Sequence, residues 1–341
     1  MSRLILSTAL VAGLGVLVVL PAAAPAQPPG PGPALPVGPG PAPPPPGGKA
    51  DEELVERVRK GIDGGVRYLK SKQNRATGNW EGQQVVLNFV VNMEGGTTAL
   101  ATLALLNAGY TEKDEAVRKA LDYLRTLPPR KTYVVGLQNL VLAEARQPKD
   151  LPLIQRNADW LVERAIGLRA GKLEGWSYEG GNALGDGSNT QYALLGLYAA
   201  KQAGARVDDT VWRAIQDHYV VNQVKPTNTT GAWRYHNNPL DPGPSFTMTV
   251  AGVCGLLIAG MGLDQTGQGL DPATGVAANC GVYDTNDAVA RGMNWVAANF
   301  SFDSGKSIFY NVYGLERLGR LSGERFIGKY DWYREGCEYL L

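Results

Sequence analysis

Three glycine–tryptophan corners, Gly78-Asn79-Trp80, Gly175-Trp176 and Gly231-Ala232-Trp233, interrupt a chain that otherwise reads as helix. Helical periodicity dominates and strand alternation is nearly absent, so the fold class is all-α. Two kinds of helix alternate between the corners. One kind is charged along one face and covers 51–72, 111–127, 150–166, 208–223, 284–299 and 329–341. The other is apolar or small-residue nearly all round and covers 96–109, 131–146, 188–203, 245–261 and 306–320. An amphipathic helix keeps a solvated face, whereas one apolar all round must be buried on most faces.

The buried kind starts near a hydroxyl residue: Thr98, Thr132, Thr190, Thr247 and Ser307. A short hydroxyl side chain there predicts capping of the first turn. Successive spacings of 34, 58, 57 and 60 residues predict a repeat of outer–inner helical hairpins. Such hairpins either curl into an α/α toroid, with inner helices round a central cavity, or stack as an open solenoid. The small residues Gly136, Ala193, Gly196, Ala251, Gly252 and Gly255 predict close approach between inner helices. Six outer helices stand against five inner ones, so a sixth inner helix is missing. The chain is then truncated, its ring is open, or a partner chain covers the exposed apolar edge.

Composition bounds the rest. Arg3, an apolar run from Leu4 to Leu20 and the Ala24-Pro25-Ala26 exit read as a secretory signal over 1–26. An uncleaved anchor is the alternative, because the run is nearly long enough to span a bilayer. Residues 27–48 read as a semi-rigid extended linker, since 13 of the 22 prolines fall within 21–47. The helical body then occupies 49–341. Its charges balance, at 33 Lys plus Arg against 32 Asp plus Glu for the whole chain, and no basic stripe appears. Nucleic acid is therefore not an expected partner. Cys254, Cys280 and Cys337 are odd in number, which fits one disulfide and one buried thiol without choosing the pair.

The string Gly65, Tyr68-Leu69, Gln73, Gly78-x-Trp80 resembles the QW motif of the terpenoid cyclases and protein prenyltransferases, an α/α-toroid superfamily. Degenerate copies follow in Trp160-Leu161 with Gly175-Trp176, and in Tyr219, Gln223 with Gly231-Ala232-Trp233. The chain looks most similar to exported bacterial proteins with prenyltransferase and squalene-oxidase repeats. The resemblance implies that Tyr68, Gln73, Trp80, Trp176 and Trp233 tie helices to the following loops and are structural.

The chemistry of that superfamily transfers poorly. Its triterpene cyclases protonate an alkene with the middle aspartate of a DXDD motif. Asp186-Gly187-Ser188-Asn189 and Asp284-Thr285-Asn286-Asp287 resemble the motif, but Ser188 and Asn286 stand where the acid is needed. Asp186, Asp284 and Asp287 remain weak catalytic candidates beside their reading as helix caps. No aspartate-rich magnesium cluster and no zinc set is present, so no metal or cofactor is expected. Trp176-x-Tyr178 and Trp233-x-Tyr235 leave a carbohydrate-active toroid as a third reading.

Aromatic and amide side chains gather at the inner-helix starts: Tyr133, Asn189, Gln191, Tyr192, Phe246, Tyr310 and Tyr313. Aromatics with a few polar groups in a concave site suit an apolar or amphipathic ligand. The sequence thus predicts a degenerate, non-catalytic module holding an isoprenoid-like lipid or a partner protein at that rim. An isoprenoid-converting enzyme is the alternative.

Overall fold

A computed structural model of the chain describes residues 49–82, 84–86, 89–91, 93–179, 184–238, 241–263, 287–303 and 308–341. The signal, the linker, Asp284, Cys280 and Ser307 lie outside the described residues. The fold is all-α. The amphipathic set comprises α1 (Lys49–Lys72), α3 (Glu115–Thr126), α5 (Leu151–Glu163), α7 (Asp209–Val221), α9 (Asp287–Ala298) and α11 (Trp332–Leu340). The buried set comprises α2 (Gly96–Asn107), α4 (Thr132–Ala145), α6 (Gly187–Gln202), α8 (Phe246–Gly262) and α10 (Ile308–Ser322). A two-stranded antiparallel ladder, β1 (Gln84–Val86) with β2 (Phe89–Val91), lies between α1 and α2.

Residue pattern decides which set a helix joins. Helix α3 buries Val117, Ala120, Leu121 and Leu124, the i, i+3, i+4, i+7 stripe of a one-sided helix. Helix α8 buries every residue from Met248 to Gly262, and α6 every residue from Ser188 to Ala200. The buried helices pack in chain order, α2 on α4, α4 on α6, α6 on α8 and α8 on α10. Flanking them, α3 lies on α2, α5 on α4 and α6, α7 and α9 on α8, and α11 on α10. The first and last helices meet: α1 packs on α11, and Arg334 donates to Asp51 in an ion pair.

Each glycine–tryptophan corner solves a helix-end problem. The last four carbonyls of a helix have no partner within it. The indole Nε1 of Trp80 donates to Leu69 O (2.8 Å) at the end of α1. Trp176 does the same to Leu161 O of α5 (2.7 Å), and Trp233 to Tyr219 O of α7 (2.8 Å). The backbone N–H of each tryptophan turns to the next buried helix instead. It donates to Thr98 Oγ1 (3.0 Å), Thr190 Oγ1 (3.0 Å) and Thr249 Oγ1 (3.3 Å) respectively.

That geometry corrects the capping reading of the hydroxyls. The N-caps of α2, α4, α6 and α8 are Gly95, Lys131, Asp186 and Ser245. Thr98 and Thr190 sit within the first turn as acceptors for tryptophan, and the third acceptor is Thr249 rather than Thr247. Thr132 donates to Ser177 O (2.6 Å). Gln73 ends its helix by bonding Gly78 O and Ala116 O (both 2.8 Å), which ties α1 to α3. Gln223 likewise bonds Ala288 O (2.8 Å) and ties α7 to α9. Tyr68 stands outside its corner, 56 % exposed with Lys72 Nζ 5.6 Å over its ring.

The small residues divide. A Cβ on Gly136 would fall 2.2 Å from Tyr192 O, and one on Gly196 2.5 Å from Gly136 Cα, so α4 and α6 touch backbone to backbone. Gly252 and Gly255 instead face outward. A Cβ there would fall 2.4 Å from the Trp233 ring and 2.3 Å from the Tyr219 ring, so these two glycines are notches for aromatics of the flanking layer.

Candidate functional site

The N-terminal ends of α4, α6 and α10 bring five of the seven rim residues together. Tyr133 and Tyr192 have ring centroids 3.8 Å apart. Tyr192 lies 6.4 Å from Tyr310 and is stacked 6.3 Å from Tyr313. The Tyr310 hydroxyl donates to Gln191 Oε1. Burial pushes the hydroxyls of all four tyrosines above the ordinary phenol range, so they stay protonated. These rings pack mainly against each other, as aromatic rings do when buried at such separations.

The other two rim residues go elsewhere. Phe246 faces the flanking layer, 6.4 Å from both Trp295 and Phe300. Asn189 belongs to the cap of α6, where its Nδ2 donates to Asp186 Oδ2 (2.8 Å).

Asp186, 6 % exposed, is committed to that cap. Its Oδ1 accepts from Asn189 N (2.8 Å) and from Ser188 Oγ (2.7 Å), and Ser188 Oγ also lies 3.1 Å from the Tyr235 hydroxyl. A carboxylate that accepts three hydrogen bonds from its own helix start is a capping acceptor. Asp287 opens α9 on its solvent side, where an acid favours the positive helix end. Neither aspartate lines the cavity described next. Among the described residues no cluster of three His, Cys, Asp or Glu side chains forms a metal site, and no helix is long and apolar enough to cross a membrane.

At the opposite end of the buried helices lies a cavity of about 650 Å³. All five buried helices reach it through their C-terminal halves: α2 with Leu103 and Asn107, α4 with Leu140, Leu142 and Ala143, α6 with Leu195, Tyr198, Ala199 and Gln202, α8 with Ile258, and α10 with Arg317, Arg320 and Leu321. The turn after α4 closes one side with Arg146, Gln147 and Pro148. Its lining mixes apolar side chains with polar and charged ones, in a volume ordinary for a small-molecule site.

The charges of α10 are the part that sequence reasoning missed. Glu316 holds Arg320 Nη1 at 2.9 Å and lies 3.4 Å from Arg317 Nε. The Arg317 guanidinium lies 5.0 Å over the Tyr313 ring, so the cavity floor backs onto the tyrosine cluster. Glu316, Arg317 and Arg320 are conspicuous in a segment otherwise rich in Leu, Gly and Tyr. Charged residues inside a helix assigned to the core were the available signal. No family model matches the chain, and no curated protein matches it.

Proposed function

We propose that this chain is an exported, non-catalytic module of repeated helical hairpins, arranged as an α/α toroid, which holds an apolar-bodied small molecule such as an isoprenoid-like lipid. The observation that carries this reading is the cavity of about 650 Å³ to which all five buried helices contribute. A toroid accounts for that convergence and for the contact between α1 and α11, whereas a straight stack would keep its first and last helices apart. The non-catalytic reading is supported by Asp186, whose carboxylate serves its helix cap.

The site proposed is displaced from the tyrosine rim to the C-terminal cavity, because the open space lies there beside apolar side chains. Calorimetric titration with farnesol tests the reading. The wild-type chain binds it, and Ala199→Trp, which fills the cavity from α6, loses binding while keeping its helical circular dichroism. Absence of binding by the wild-type chain, or equal binding by both, overturns it.

A further inference from the structure

We infer that the cavity selects a molecule with an anionic head, carboxylate or phosphate, held by the guanidinium groups of Arg317 and Arg320. This rests on the proposal that the cavity is a binding site, and adds which end of the ligand is recognised and how.

A guanidinium carries five N–H donors in a fixed fork and has no use for an apolar wall. Arg317 and Arg320 line the cavity, their side chains 20 % and 17 % exposed, and the Nε of each is buried with no hydrogen-bond partner. One carboxylate, Glu316, serves both: it accepts from Arg320 at 2.9 Å but stands 3.4 Å from Arg317. Among these three side chains, two cations stand against one anion at the cavity wall.

Glu144 and Arg146, also on the lining, are of opposite sign. Buried helix ends converge here with their negative poles, which would favour a cation. Lys201 answers that demand at α8 by donating to Gly262 O. Arg320 meets the same demand in the last turn of α10, and Arg317 sits one turn before it with Tyr313 behind. Their spacing by three residues sets both forks on neighbouring positions of one helix face. Paired, forked donors are the arrangement that recognises the planar or tetrahedral oxygens of carboxylate and phosphate. The walls opposite, Leu103, Leu140, Leu195 and Ile258, fit the apolar body of such a molecule.

The test compares three ligands of one chain length, dodecanoate, dodecyl phosphate and neutral dodecanol, each titrated below its micellar concentration. Wild-type protein is expected to bind at least one anion about tenfold or more tighter than dodecanol, the size of a charge-assisted hydrogen bond. Whichever anion is preferred identifies the head, a fatty acid or a phosphorylated lipid. In Arg317→Gln/Arg320→Gln the preference falls towards one while dodecanol binding is kept. Should that variant not fold, Arg317→Lys keeps the charge without the fork and is expected to lose severalfold of the preference.

Equal binding of dodecanol and both anions overturns the head-group inference and leaves the cavity reading standing. A preference that survives the arginine substitutions also overturns it, since the anion is then held elsewhere. No binding of any of the three overturns both.

Discussion

The guanidinium carbon of Arg317 lies 5.0 Å from the centroid of the Tyr313 ring, on the side of α10 that faces the cavity. Tyr313 in turn stacks on Tyr192, and Tyr192 meets Tyr133 at a tilt of 38°. One column of side chains therefore runs from the helix starts to the cavity floor, ending in a cation. A buried guanidinium costs several kcal/mol of desolvation, and the ring beneath it returns about 2 kcal/mol. Its 3.4 Å contact with Glu316 is weak, and Glu316 retains Arg320 when Arg317 is removed. Arg317→Met should therefore leave the unfolding free energy from urea titration within about 1 kcal/mol of wild type or raise it. A loss of more than about 2 kcal/mol would show that Arg317 is held in place for stability rather than for a ligand.

The tryptophan corners predict a separable pair of effects. Thr190→Val keeps shape but removes the acceptor for Trp176 N–H, leaving a buried donor unpaired. The expected loss is about 1–3 kcal/mol, recovered in Thr190→Ser, which restores an oxygen. Trp176→Ala removes both the hydrogen bond to Leu161 O and a fully buried ring, for about 3–5 kcal/mol. Chemical denaturation of the three variants checks the order. Equal stability of Thr190→Val and wild type would mean that the threonine contact is dispensable.

How much of this was legible in one dimension follows from what periodicity reports. The contrast between α3, with its single apolar stripe, and α8, apolar throughout, is written in the residues, so the two helix sets and their alternation were readable. The glycine–tryptophan corners were readable as corners. Which atoms they used was not: a threonine in a first turn caps or accepts depending on where the preceding loop arrives, and here the loop brings a tryptophan N–H to it.

The rim was half legible for the same reason. Tyr133, Tyr192, Tyr310 and Tyr313 do converge, because helix starts share one end of the bundle. Phe246 starts a helix too, but its rotation about the α8 axis points it at Trp295. Where space is left over depends on side-chain volumes summed across five helices. Large rings fill the N-terminal end, while Ala143 and Ala199 leave room at the other. No single segment contains that sum.

Two glycines on helices of different kind should respond oppositely to the same substitution. Gly255→Ala would drive a Cβ to 2.3 Å from Tyr219 Cε2, in a notch closed on every side. Overpacking there should cost about 1–3 kcal/mol. At Gly64 on α1 the nearest atom would be 4.0 Å away, so Gly64→Ala should stabilise by about 0.5–1 kcal/mol through helix propensity alone. Thermal melts of the two single variants decide between them, and a stabilised Gly255→Ala would refute the notch.

His218 gives the fold a pH dependence with a defined sign. It is buried in α7, its Nδ1 3.0 Å from Leu173 O, and burial pulls its pKa below the ordinary 6.5 despite that hydrogen bond. A base whose folded pKa is depressed is protonated more readily in the unfolded chain, so its neutral form contributes stability above pH 6.5 that is lost progressively as the pH falls below it. The carboxylate of Glu112, held below its ordinary 4.5 by Lys149 and Arg125 against its own desolvation, acts in a separate window under pH 4.5. Urea midpoints at pH 7.5 and 5.5 should therefore fall for wild type and change less for His218→Gln, which keeps polarity without titrating. An equal drop in both proteins would assign the pH dependence to other groups.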